Sequence, residues 1–301
     1  MSIGGAVGMA GCSEVTDQLG DDGGNATATP EPEPDPEPQR VYADWLPAPD
    51  ELGDDDHYSF TYLDMADFEE YEDELDDESF DPTSFEDVWS PLSFDWTDVS
   101  DLTLFGGFGF NNIVIEAEFS REDAISDLED EEYEEDSEYD GYTIMFDSES
   151  ERAVAVGDGT VVIVSGDESV DTAETLLDTQ GGDSERYGEA SDDMATLVGE
   201  LGGGSLVQGR TTETPDRPAP AEGEFENMVA RGSRAQINGA TTDRTWVVVY
   251  ESSDDVDTDD LEAWVDANDG IDEQFEDAED ISYSSDGRLG IVTVTGDTDE
   301  L

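Results

Sequence analysis

A chain that carries 84 Asp and Glu against ten Arg and not one Lys must fold, if it folds, against its own charge of −74. Ordinary small domains are comfortable with a net charge of about 2–8. Self-repulsion on this scale opposes any compact state in dilute buffer. Two outcomes are open to such a sequence. One is disorder, where high charge and low hydrophobicity leave too little apolar burial to offset the entropy of ordering. The other is a fold that lives in concentrated salt, where the Debye length drops to about 3 Å at 1 M and surface carboxylates scarcely sense each other. The apolar runs decide between them. Val161-Val-Ile-Val164 and Trp246-Val-Val-Val249 are strand material that disordered chains lack.

The missing Lys points the same way. Lys exposes a long hydrocarbon stem, whereas Arg offers forked donors and a more weakly hydrated charge for pairing with carboxylates. Acid excess with Arg and no Lys resembles the proteins of extremely halophilic archaea. That resemblance implies that most acidic clusters here are adaptation to solvent and not sites. The charge also speaks against nucleic acid as a partner, since phosphate recognition needs basic patches. An anionic membrane surface would repel the chain for the same reason.

The N-terminal stretch MSIGGAVGMAG is small and apolar, and it ends at Cys12, the sole cysteine. Met9-Ala10-Gly11-Cys12 resembles the lipobox of haloarchaeal lipoproteins: one bulky apolar residue, two small ones and Cys. The resemblance implies lipid attachment at Cys12, membrane lipid as a partner, and an extracellular protein held on the outer face of the cell membrane. Residues 1–12 then read as the remnant of a lipoprotein signal. Residues 13–40 read as a disordered tether containing Pro30-Glu-Pro-Glu-Pro-Asp-Pro-Glu-Pro38. Alternating Pro favours extended polyproline geometry, and this run alone would span about 25–30 Å. Asn25-Ala26-Thr27 is a glycosylation sequon, and Asn25 is a possible glycosylation site.

Past residue 40 the periodicity predicts an α+β body. Two stretches share a pattern. The first runs NNIVIEAEF, SREDAISDL, YTIMF and TVVIVSGD, and the second runs DRTWVVVYE, DTDDLEAWV, ISYSS and GIVTVTGD. Each reads as strand, capped acidic helix, strand, strand, closed by Gly-Asp. The expectation is two related modules of antiparallel sheet with helices on one face. The first covers 41–210, a Pro-rich loop or hinge covers 211–224, and a smaller second module covers 225–301. The acidic run at 129–140 reads as a solvated helix end and loop, and Leu206-Val207 as a short strand.

Catalytic constellations are scarce. His57 is the only histidine, so a Ser-His-Asp mechanism would have to pass through it, and it follows three aspartates instead of facing a nucleophile. There is no GxSxG, HExxH, CxxC or P-loop. The run Gly106-Gly-Phe-Gly109-Phe-Asn111 lacks the third Gly of a dinucleotide fingerprint and reads as a turn or bulge. The aromatics at 76–100 read as a satellite core. Asp255, Asp257 and Asp259 imitate the start of a calcium loop, but Asp260 stands where Gly is needed and Asp266 where a bidentate Glu belongs. They are weak calcium candidates, read chiefly as a cap on the following helix. No catalytic, metal or cofactor residue is assigned and no cofactor is called for. The reading is therefore a non-enzymatic binding or structural lipoprotein with a cell-surface protein or a small solute as partner. Two alternatives stand beside it: a solute-binding protein with its ligand at the seam between modules, and a carboxylate-dependent hydrolase.

Overall fold

The computed structural model describes residues 40–53, 57–75, 86–107, 110–212, 223–268 and 280–300. The expectations for Cys12, Asn25 and the tether, and for Phe80 and Phe85, fall outside these residues.

Twelve strands form one antiparallel sheet. In chain order they are β1 (Ser59–Asp64), β2 (Val99–Gly106), β3 (Asn112–Ala117), β4 (Glu134–Tyr139), β5 (Tyr142–Asp147), β6 (Arg152–Val156), β7 (Thr160–Ser165), β8 (Leu206–Thr211), β9 (Met228–Asn238), β10 (Thr241–Tyr250), β11 (Asp280–Asp286) and β12 (Leu289–Asp297). Their spatial order is β11-β12-β10-β9-β8-β1-β2-β3-β7-β6-β5-β4. The helices are α1 (Met65–Glu70), α2 (Glu86–Trp89), α3 (Arg121–Asp130), α4 (Ser169–Gly181), α5 (Tyr187–Ala190), α6 (Asp192–Leu201) and α7 (Thr258–Asn268). The protein is thus α+β and antiparallel, as its periodicity implies.

The helices lie on both faces of the sheet, not on one. On the first face, α4, α5, α6 and the turn at Val41–Trp45 cover a continuous core that includes Phe60, Phe105, Val114, Val162, Val207, Val247 and Val249. On the second face, α1, α2 and α3 cover Leu63, Leu102, Ile115, Val154, Val161 and Ile163. There α7 covers a separate cluster with Val248, Tyr250, Val292 and Val294. The sequence carries the reason. A strand buried on one face alternates apolar with polar, whereas Val161-Val-Ile-Val164 is apolar at every position and is buried throughout.

The two stretches that match in pattern occupy matching places. In the first, β3 leads into α3 and the returning β7 pairs with β3. In the second, β10 leads into α7 and the returning β12 pairs with β10. They do not close into separate sheets, because β1 and β8 pair antiparallel between them. The seam expected at 211–224 therefore does not separate two bodies: β8 and β9, which flank it, are hydrogen-bonded neighbours.

Local chemistry sets the helix starts. Ser120 Oγ accepts from the Asp123 amide at 3.3 Å, and Ser191 Oγ accepts from the Met194 amide at 3.2 Å. Two elements depart from expectation. Residues 134–139 form edge strand β4, although mostly exposed acids give them no apolar alternation. The short strand at Leu206-Val207 extends to Thr211 and is an interior strand of the sheet, between β9 and β1. Gly209 and Gly232 face each other across β8 and β9. A Cβ at Gly232 would lie 2.4 Å from the Gln208 carbonyl oxygen and 2.8 Å from Leu201 of α6. The paired glycines let α6 sit against the sheet backbone.

Candidate functional site

The second face carries two helical covers, and between them no described helix lies on the sheet. Pleating places Ser59 and Thr61 of β1, Gln208 and Arg210 of β8, Arg231 and Ser233 of β9, and Trp246 and Val248 of β10 on that face. These side chains floor a trough of about 440 Å³. Trp264 of α7, Phe225, Val292 and Phe110 form its walls. The volume falls within the roughly 300–1,000 Å³ range of small-molecule sites.

The floor is polar and cationic. Arg210 and Arg231 are direct partners in the β8–β9 register, so two guanidinium side chains stand side by side. Like charges directly opposite each other destabilise a strand pair. Arg231 Nη1 donates to the Gly223 carbonyl at 2.6 Å. Burial lowers the Arg231 pKa, Arg210 lowers it further, and the nearby exposed Glu224 acts in the opposite sense. The Arg210 Nε is buried without a hydrogen-bond partner, and no side-chain hydrogen bond or ion pair joins the Arg210 guanidinium to a described residue.

The walls are aromatic. Trp246 and Trp264 meet edge to face with centroids 6.1 Å apart, and Trp264 meets Phe225 in the same way at 6.2 Å. Phe225 is fully buried, the two tryptophans are half-buried, and Phe110 stands exposed at the rim. Phe110 also holds a φ of 49°, a left-handed conformation that bulky residues seldom adopt.

Two other hollows differ in one respect. The one between the Val41–Trp45 turn and α5 and α6 contains Arg186, which pairs with Asp44 at 2.6 Å. The one at the start of α6 contains Arg288, which pairs with Asp193. In both, a lining arginine already has its carboxylate. In the trough the lining contains no Asp or Glu among the described residues.

The candidates read from sequence lie elsewhere. His57 is half-buried just ahead of β1 and does not line the trough. Asp255 accepts from Asn227 Nδ2 at 2.8 Å and from Ser252 Oγ at 2.6 Å, fastening the loop before α7. Asp257 accepts from the Asp259 amide at 3.0 Å and so caps α7. Asp259 is in the first turn of that helix. Among the described residues no group of three or more His, Cys, Asp or Glu is placed to hold a metal ion. Trp89, Leu92 and Trp96 are buried in the core under α1 and α3, and Phe94 stacks between Trp89 and Phe119. Those aromatics pack; they form no groove.

On the first face a row of carboxylates crosses three strands. Asp64 is opposite Asp101, and Asp101 is opposite Glu116. Tyr62 donates its hydroxyl to Asp101 at 2.5 Å. Burial raises the Asp64 carboxyl to about 6, helped by the charges of Asp67 and Asp101. Burial also raises Glu116, with Asp101 adding to it. This row has no cationic partner among the described ion pairs.

No protein-family model matches the chain, and no curated protein matches it. Solved structures of the protein TP0453 are similar to it in backbone. Crystal form III is 7% identical with a TM-score of 0.49, covering 89% of this chain and 97% of that one. Crystal form I is 7% identical with a TM-score of 0.46, covering 87% and 95%. Likeness at this level carries no argument about fold or function, which rest on this chain's own residues. Among the described residues no helix is long and apolar enough to cross a membrane.

Proposed function

We propose that the chain is a non-enzymatic binding protein of a halophilic archaeon, lipid-anchored through Cys12 to the outer face of the cell membrane, with its ligand site in the trough. The trough carries this reading. It is a concave site of ligand size with apolar walls and a few convergent polar groups, the usual constitution of a small-molecule site. Among the described residues its lining has hydroxyls, an amide and two arginines but no His, Cys, Asp or Glu. A hydrolase built on paired carboxylates would need both of them at the site. The solute-binding alternative therefore survives in altered form, with the ligand on a continuous sheet instead of between two modules. The anchor is supported by the small-residue tetrad ending in the sole cysteine and by the Pro-rich stretch that follows it.

The test of the anchor is membrane fractionation of the wild type and Cys12→Ser, expressed in a halophilic host from the native gene start. Wild type is expected in the membrane fraction and Cys12→Ser in the medium. Recovery of both from the cytosol would defeat the proposal for location.

A further inference from the structure

We infer that the trough binds a small amphiphile with an oxyanion head group, carboxylate or phosphate, seated on Arg210 and Arg231, and an aromatic or apolar body against Trp246 and Trp264. The inference rests on the reading of the trough as a binding site and adds the class of ligand.

Four observations converge on it. The first is placement. The chain has ten arginines and no lysine to set against 84 acids, yet two of the arginines are direct cross-strand partners. Their mutual repulsion calls for a counter-charge between or above them. The second is lack of partners. Arg121, Arg186 and Arg288 all have carboxylates, at Glu138, Asp44 and Asp193. The Arg210 guanidinium has no partner among the described residues, and Arg231 spends one nitrogen on the Gly223 carbonyl. Guanidinium forks left open in this way match the oxygens of a carboxylate or phosphate in pairs. The third is the surroundings. Gln208, Ser233, Ser59 and Thr61 add neutral donors around the pair, and no carboxylate competes among the described lining residues. Among the described residues the acid that acts on Arg231 is Glu224, and it is exposed. The fourth is the wall of edge-to-face aromatics beside the charged floor. It gives the rest of the ligand a surface on which stacking and apolar burial act together.

A net charge of −74 would seem to turn anions away. In molar salt it does not reach them. With a Debye length of about 3 Å, the far carboxylates are screened and an approaching anion meets only the local pair of arginines.

The test is calorimetric titration of the full chain in 3 M KCl with three probes: 3-phenylpropionate, phenyl phosphate and the neutral 3-phenylpropan-1-ol. At least one anion is expected to bind tenfold or more tightly than the alcohol. Arg210→Gln and Arg231→Gln are each expected to remove that preference, weakening the anion at least tenfold and leaving the alcohol unchanged. Trp264→Ala is expected to weaken anion and alcohol alike. If the alcohol binds as tightly as both anions, or if the preference survives in Arg210→Gln, the oxyanion class is wrong while the binding site stands. If none of the three probes binds, the binding reading itself falls. Should the arginine variants fail to fold, as judged by circular dichroism, the comparison of anions with alcohol on the wild type still decides.

Discussion

Asp64 can be replaced by Asn at a gain. The residue ends β1 and caps α1, accepting from the Asp67 amide at 3.2 Å. Asn caps a helix about as well as Asp, so the substitution keeps the cap and removes the charge. The charge is costly where it stands. Its carboxyl is raised from 3.8 to about 6, first by burial and then by Asp67, with Asp101 across the strand pair adding to it. A shift of about two units corresponds to roughly 3 kcal/mol at about 1.4 kcal/mol per unit. Asp64 is only half-buried and its charged neighbours are screened in salt, which reduces the figure to about 1–1.5 kcal/mol. Burial is the largest cause, and salt does not screen it, so the effect persists in molar salt.

The sign follows from linkage. The folded-state pKa lies above the unfolded one, so a proton favours the fold. At about pH 3 the carboxyl is mostly neutral in both states and costs almost nothing. The penalty grows as pH rises from 4 to 6 and is constant above. In 3 M KCl at pH 7.5, Asp64→Asn should therefore melt higher than wild type by about 2–6 °C, at about 2–4 °C per kcal/mol for a protein of this size. At pH 3 the two melts should coincide. Comparing variant with wild type at each pH cancels the titration of the other acids. A variant less stable at pH 7.5, or a gap that does not change with pH, would refute the argument.

Two further outcomes can be checked with the same melts. Lowering the salt below about 1 M should unfold the body, because its net charge of −74 is then no longer screened, and an unchanged melt would remove the halophilic reading. Gly232→Ala should destabilise by about 1–3 kcal/mol in denaturant titration, since the new methyl would overlap the Gln208 carbonyl and Leu201. A neutral result would mean that α6 does not rest on the sheet as described.

Much of the fold is legible because apolar periodicity and caps are local. Ser120 and Ser191 announce α3 and α6, and Gly159 and Gly287, at φ of 79° and 58°, mark their turns. Strand β4 is not legible. Glu134, Glu135, Asp136 and Glu138 are exposed, and what makes the segment a strand is its backbone pairing with β5, which leaves no trace in side-chain pattern. The single sheet is hidden for a related reason. Two similar stretches imply two similar units, but only the pairing of β1 with β8 shows that they share one sheet.

The trough was hidden by the same strand. With β8 ending at Val207, Arg210 falls in a loop and has no defined neighbour. With β8 running to Thr211, the register Gly209–Gly232 brings Arg210 opposite Arg231 and turns both away from α6. The glycine rung and the arginine rung are thus consequences of one register. On the first face the glycines let a helix close over the sheet, and on the second the arginines meet where no described helix covers them. A slip of one residue would exchange the faces, burying two unpaired guanidinium groups under α6. A charge buried without a partner is far too costly for that alternative to compete. The arrangement that exposes the arginine pair in the trough is therefore the one the helical cover of the opposite face requires.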